Sequence, residues 1–138
     1  MSPRFRRTAL ATTIALLGSV SHSSANLSCK GVDTALTPER KATYSTLVAH
    51  SLDAKVAASK VEIHTFMEAA SWSVVYADVP IADPGYFFFK IVDGKPRFEE
   101  VWGGMADESE TPELVRWAEK LGTPRSVAEC FAKAAVSE

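Results

Sequence analysis

No stretch of this sequence is apolar for long enough to cross a membrane. The N-terminal apolar run, Thr8 to Val20, covers about 13 residues, and a spanning helix needs ~20. Cysteine is scarce: two residues, Cys29 and Cys130, with no Cys-x-x-Cys pair, so a close-spaced redox dithiol is excluded. There is no His-x-His, no cluster of carboxylates beside a histidine and no nucleophile elbow beside one. A metal centre and a hydrolytic triad therefore lack their sequence marks. After residue 30 no repeat, low-complexity tract or linker appears, so no second domain is expected. Positive charge is not in excess either, at 15 basic and 17 acidic side chains. Without the three arginines at its N-terminus the chain is acidic, which makes nucleic acid and anionic membrane surfaces poor partners, and neither is expected.

What is present begins with the N-terminus. Arg4, Arg6 and Arg7 precede the apolar run, and Ser23 and Ala25 supply a small-x-small pattern after it. Basic, apolar, then small is the mark of a cleaved secretory signal. Residues 1–25 are read as that signal and 26–138 as one domain, periplasmic or secreted. The signal carries three arginines and no acid, so the remaining domain is more acidic than the whole chain. In an oxidising compartment two cysteines predict a disulfide, Cys29 to Cys130, closing a long loop. Chain entropy sets its ceiling at roughly 4–5 kcal/mol.

Periodicity then gives the elements. Thr37-Pro38-Glu39 is a capping hydroxyl, a first-turn proline and an acid at the positive end of a helix dipole. Tyr44, Leu47, Val48 and Leu52 continue at helical spacing, predicting a helix to about Ala57. From Lys60 to Met67 the period falls to two, with Val61, Ile63, Thr65 and Met67 on one side of a strand. A second strand runs from Trp72 to Val79, then a loop with Asp83-Pro84-Gly85 as its turn. Tyr86 to Val92 is a strongly apolar strand, and Asp93-Gly94 predicts a two-residue hairpin with Phe89 opposite Phe98. Pro96 marks the next strand as an edge or as bulged. After an acidic loop, Asp107 to Glu110, two helices start at Thr111-Pro112 and Thr123-Pro124. The expected fold is α+β: a four-stranded antiparallel meander with helices on one face, in the order α-β-β-β-β-α-α.

Candidate chemistry is thin. His50 and His64 have no nucleophile beside them, and His64 with Glu68 is poorly spaced for a metal on a strand. Glu99 and Glu100 point to opposite faces, and Asp78 and Asp83 read as turn residues. No catalytic residue, metal ligand or cofactor is assigned. The aromatics are more informative. Phe87-Phe88-Phe89 cannot all face one layer of helices, so one aromatic row lies on the other face, covered by a loop or a partner, or left open. Trp72, Tyr76, Tyr86, Phe88 and Trp102 are the candidate binding row, with Phe87 and Phe89 as its alternative.

The segments Asp78 to Phe89, Val101-Trp102-Gly103-Gly104, and Trp117-Ala118 with Cys130-Phe131-Ala132 resemble small exported proteins of proteobacteria, a family without an established activity. That resemblance implies a periplasmic address and a paired-cysteine domain. The function expected is non-enzymatic binding through a sheet face, of an inhibitor or immunity type, with another exported protein as partner. The alternatives are a small-ligand carrier with a pocket between helices and sheet, and, more remotely, a small hydrolase.

Overall fold

The computed structural model describes residues 27–138; the expected signal, residues 1–25, lies outside them. The chain runs α1 (Pro38–Ser51), β1 (Glu62–Ala69), β2 (Trp72–Val79), β3 (Ala82–Val92), β4 (Lys95–Gly103), α2 (Thr111–Leu121) and α3 (Arg125–Ala135), with single 3-10 turns at Ala58–Lys60 and Glu108–Glu110. The strands form one antiparallel sheet in chain order. Class, meander and element order are those the sequence predicts.

The helix starts follow from local chemistry. The Thr37 hydroxyl accepts the Arg40 N–H at 3.2 Å, and Pro38 occupies the first turn of α1. The acidic stretch before α2 is a capped 3-10 turn: the Asp107 side chain accepts the Ser109 N–H while Glu110 reaches back to the Asp107 N–H. Gly122, at φ 106°, ends α2 in the left-handed region. α1 stops at Ser51, short of Ala57. The Ser51 hydroxyl donates to the Val48 carbonyl at 2.7 Å, and the chain turns so that Leu52 and Val56 pack against the core.

The helices, expected together on one face, divide between the two. α1 covers one face, where Tyr44, Val48 and Ala49 meet Ile63, Phe66, Val75, Phe87 and Phe89. α2 and α3 cover the other, where Leu114, Ala118, Val127 and Phe131 meet Met67, Val74, Tyr86 and Phe88. The reason is the alternation of side chains on a strand. Val74-Val75 and Tyr86 to Phe89 present apolar groups to both sides, and each buried side chain of this size stabilises by about 1.5–3 kcal/mol once covered.

A register shift in each of the three strand pairings aims the side chains. In β1 the pairing passes from Ile63↔Ala77 to Thr65↔Tyr76, which leaves His64 as an extra residue in a β-bulge. Ile63 and Phe66 therefore share the α1 face, while Met67 lies on the α2/α3 face. The expected Val61–Ile63–Thr65–Met67 row is broken at this bulge. In β3 the reversal lies at Pro80-Ile81, and Asp83-Pro84-Gly85, expected as the turn, belong to the strand. A shift opposite Ala77 to Val79 gives Pro84 a place without a ladder bond. At Gly85 the strands come so close that a Cβ would sit 3.0 Å from Val101 Cγ2 and 3.2 Å from the Trp102 carbonyl oxygen. The Asp93-Gly94 hairpin pairs Phe89 with Phe98 and Val92 with Lys95, as expected. β4, carrying Pro96, is an edge strand with a shift in its pairing to β3.

Cys29 and Cys130 form a disulfide, with Cα atoms 5.6 Å apart. The N-terminal segment is thus tied to α3 and crosses the β1 edge towards α1. Asp33 exchanges two backbone hydrogen bonds with Glu68, at 2.8 and 2.9 Å. Arg40 of α1 donates to the Asp33 carboxylate and the Ala35 carbonyl, each at 2.7 Å, and lies over the Phe66 ring. Arg40 and the Ala35 N–H together hold the Asp33 carboxyl below the usual carboxylate range.

Candidate functional site

The aromatic row expected to bind a partner is core. Trp72, Tyr86 and Phe88 are 4%, 1% and 0% exposed. Tyr76 and Trp102 are half-buried, with ring centroids 4.6 and 6.2 Å from Tyr86. Phe131 of α3 meets Tyr86, Phe88, Trp102 and Trp117 edge-on or tilted. The alternative row fares the same: Phe87 and Phe89 are buried beneath α1. Both faces were short of helices only on the expectation that all helices shared one side. Ile81, Val101 and Met105 remain as exposed large apolar side chains, each on a different segment.

Polar groups gather instead at the β1 side of the sheet. The N-terminal segment, β1 and the end of α3 enclose a cleft of about 1000 Å³. Its walls include Leu27, Ser28, Asp33 and Thr34 from the N-terminal segment, Lys41 from α1, His64 and Thr65 from β1, and Lys133, Ser137 and Glu138 from α3 and its end. The segment is held in place by the disulfide, by Lys133 Nζ donating to the Ser28 carbonyl at 2.9 Å, and by the Thr34 hydroxyl donating to the Leu27 carbonyl at 2.8 Å. The lining sets ammonium, carboxylate and hydroxyl groups beside the apolar Leu27, Leu36, Phe66 and Ala134, which suits a small occupant with both charged and apolar parts.

Beside the cleft, Glu62, His64 and Asp78 come together. Glu62 and Asp78 are directly opposed on β1 and β2, and His64 Nε2 lies 2.9 Å from Asp78 Oδ2. One ligating atom from each of the three lies within 4.8 Å of the others. Next along the same face stand Tyr76 and Tyr86, and the Tyr86 hydroxyl donates to Glu138 Oε1 at 3.4 Å. Burial pushes the Tyr86 phenol far above its ordinary range, and Tyr76 is raised by burial and then by the charges of Glu138 and Asp78. Both phenols are therefore neutral donors at any physiological pH.

Of the other residues singled out in the sequence, His50 is exposed on α1. Asp78 is engaged with His64 rather than with Asp83. The Glu100 carboxylate accepts the Val101 N–H at 3.0 Å. Glu68, set beside His64 in the sequence, instead pairs with Asp33 and stands 3.9 Å from Arg40. The cluster of Glu62, His64 and Asp78 was missed because it depends on the bulge. The signal available was the i, i+2 spacing of Glu62 and His64 on one strand. No protein-family model, curated protein or solved structure matches the chain, so the residues themselves carry the functional argument.

Proposed function

We propose that this chain is an exported, non-enzymatic binding protein that holds a small polar molecule in the cleft beneath its N-terminal segment. The observation that carries this reading is the filling of both sheet faces, with a cleft of about 1000 Å³ at the β1 side whose walls carry charges of both signs and hydroxyl groups among apolar ones. Lys41 and Lys133 on its walls suit an anionic end of the ligand, and Glu138 a cationic one, so a zwitterion is the chemistry that the lining favours. The disulfide supports an oxidising destination, and both thiols are consumed in it, which leaves no cysteine nucleophile. None of the helices among the described residues is long and apolar enough to cross a membrane. A protein partner docked on an aromatic sheet face has lost its surface, since Trp72, Tyr86 and Phe88 are core; such a partner would have to use another part of the molecule.

Native mass spectrometry tests the reading. Protein prepared without denaturation should carry a small adduct that Ser137→Trp, which fills the cleft, abolishes. A bare mass for the wild type, together with an unchanged melting temperature across amino acids, small organic acids and sugars, overturns it.

A further inference from the structure

We infer that Glu62, His64 and Asp78 form a binding site for a divalent transition-metal ion of the zinc type. Three kinds of observation carry this. The first is chemical: one imidazole with two carboxylates is a donor set suited to zinc and its first-row neighbours, whereas magnesium and calcium prefer oxygen alone.

The second is geometric. Two donors each ~2.0–2.2 Å from a shared zinc ion stand about 3–3.5 Å apart. His64 Nε2 and Asp78 Oδ2 are 2.9 Å apart, and Glu62 brings a carboxylate oxygen within 4.8 Å of both. Small side-chain adjustments close the set, because Glu62 and Asp78 are fixed opposite one another by strand pairing. Three protein ligands leave coordination positions for water or for a bound molecule, as in zinc sites that do more than hold a fold together.

The third is the bulge. Without residue 64, β1 would read Glu62, Ile63, Thr65, Phe66, Met67, and the alternation would be regular: Ile63 and Phe66 towards α1, Thr65 and Met67 towards the other layer. The alternation of core side chains therefore does not need the extra residue, whose ring packs against Tyr76 at the rim. What that residue contributes is an imidazole turned to Asp78 on the face that Glu62 shares. Bulges are over-represented at sheet edges, where β1 lies, and beside working sites, where they re-aim a side chain as this one does.

The inference stands apart from the proposed ligand of the cleft, although His64 lines both. Titration of the untagged, oxidised protein with zinc chloride, followed by calorimetry and by the His64 ring resonances, decides it. One saturable equivalent is expected, undiminished by excess magnesium. His64→Gln and Asp78→Asn should each weaken it at least about tenfold, the loss seen even when an outer partner of a metal ligand is removed. Deletion of His64 should keep the fold and the disulfide while abolishing binding. His50→Gln and Ser137→Trp should leave it unchanged, so that failure of the cleft reading and failure of the metal reading remain distinguishable. Absence of saturable zinc binding, or binding that survives in folded His64→Gln protein, overturns the inference and leaves a surface His–Asp hydrogen bond.

Discussion

The two faces of the sheet are closed by different means. On one, two helices bring Phe131 into the middle of Tyr86, Phe88, Trp102 and Trp117, and the disulfide fastens α3 to the N-terminal segment. On the other, α1 alone covers Phe66, Phe87 and Phe89, helped by Leu52 and Val56 from the chain after it. There the central ring is Tyr44, edge-on to Phe66 and Phe89, with its hydroxyl donating to the buried Ser73 hydroxyl at 2.6 Å. The first face is held by aromatic packing and a covalent link, and the second by one helix with a buried polar anchor. The lesson is that one helix covers a sheet face well when a buried hydrogen bond, Tyr44 to Ser73, and a rim contact, Arg40 to the N-terminal segment, fix how it sits.

The contrast is open to direct attack. Phe131→Ala should have the largest effect, a loss of about 3–5 kcal/mol in urea unfolding, because four rings lose their common neighbour. If Phe89→Ala on the α1 face costs as much or more, the aromatic difference between the faces is not real. Removing the disulfide by Cys29→Ala with Cys130→Ala should cost about 2–4 kcal/mol, read from the shift in the unfolding midpoint. Tyr44→Phe should cost about 1–3 kcal/mol, since it leaves the Ser73 hydroxyl buried without its partner. Adding Ser73→Ala should recover part of that loss, and a failure to recover would mean that the hydroxyl pair does not anchor α1.

Alkaline unfolding sharpens the same comparison. The buried Tyr44 and Tyr86 phenols, one on each face, are raised by burial, Tyr86 more strongly. In the unfolded chain a phenol releases its proton near pH 10, while in the folded protein it keeps it. Above that pH the unfolded state binds fewer protons than the folded one, so stability is full below about pH 10 and falls as pH rises beyond it. Tyr86→Phe should flatten this fall more than Tyr44→Phe does. The smallest effect lies at the β1–β2 turn, where Ala70 has φ 51°. Ala70→Gly should raise stability by up to about 1 kcal/mol, measured by thermal melting.

Element order, the Asp93-Gly94 hairpin with its Phe89–Phe98 pairing, and the Cys29–Cys130 link were legible because each depends on local signals or on a pair with no rival. The distribution of helices was not. Phe87-Phe88-Phe89 announced two apolar faces, yet no local pattern states which helix takes which face. The site was hidden for a related reason. Counted back from the Ala70-Ser71 turn without interruption, His64 would oppose Ala77 and Asp78 would oppose Ile63. One bulged residue moves Asp78 opposite Glu62 and onto the side of His64, and such a slip leaves no trace in composition or spacing.

The N-terminal segment reaches α3 through Cys29, β1 through Asp33 and α1 through its contacts with Arg40. It bridges the two helical layers around the rim of the sheet, so strain on either is shared without passing through the strands. Oxidised protein should therefore melt as one cooperative unit. Once reduced, the N-terminal segment should lose its hydrogen-exchange protection first, at the Asp33 and Glu68 amides, while the central strands stay closed.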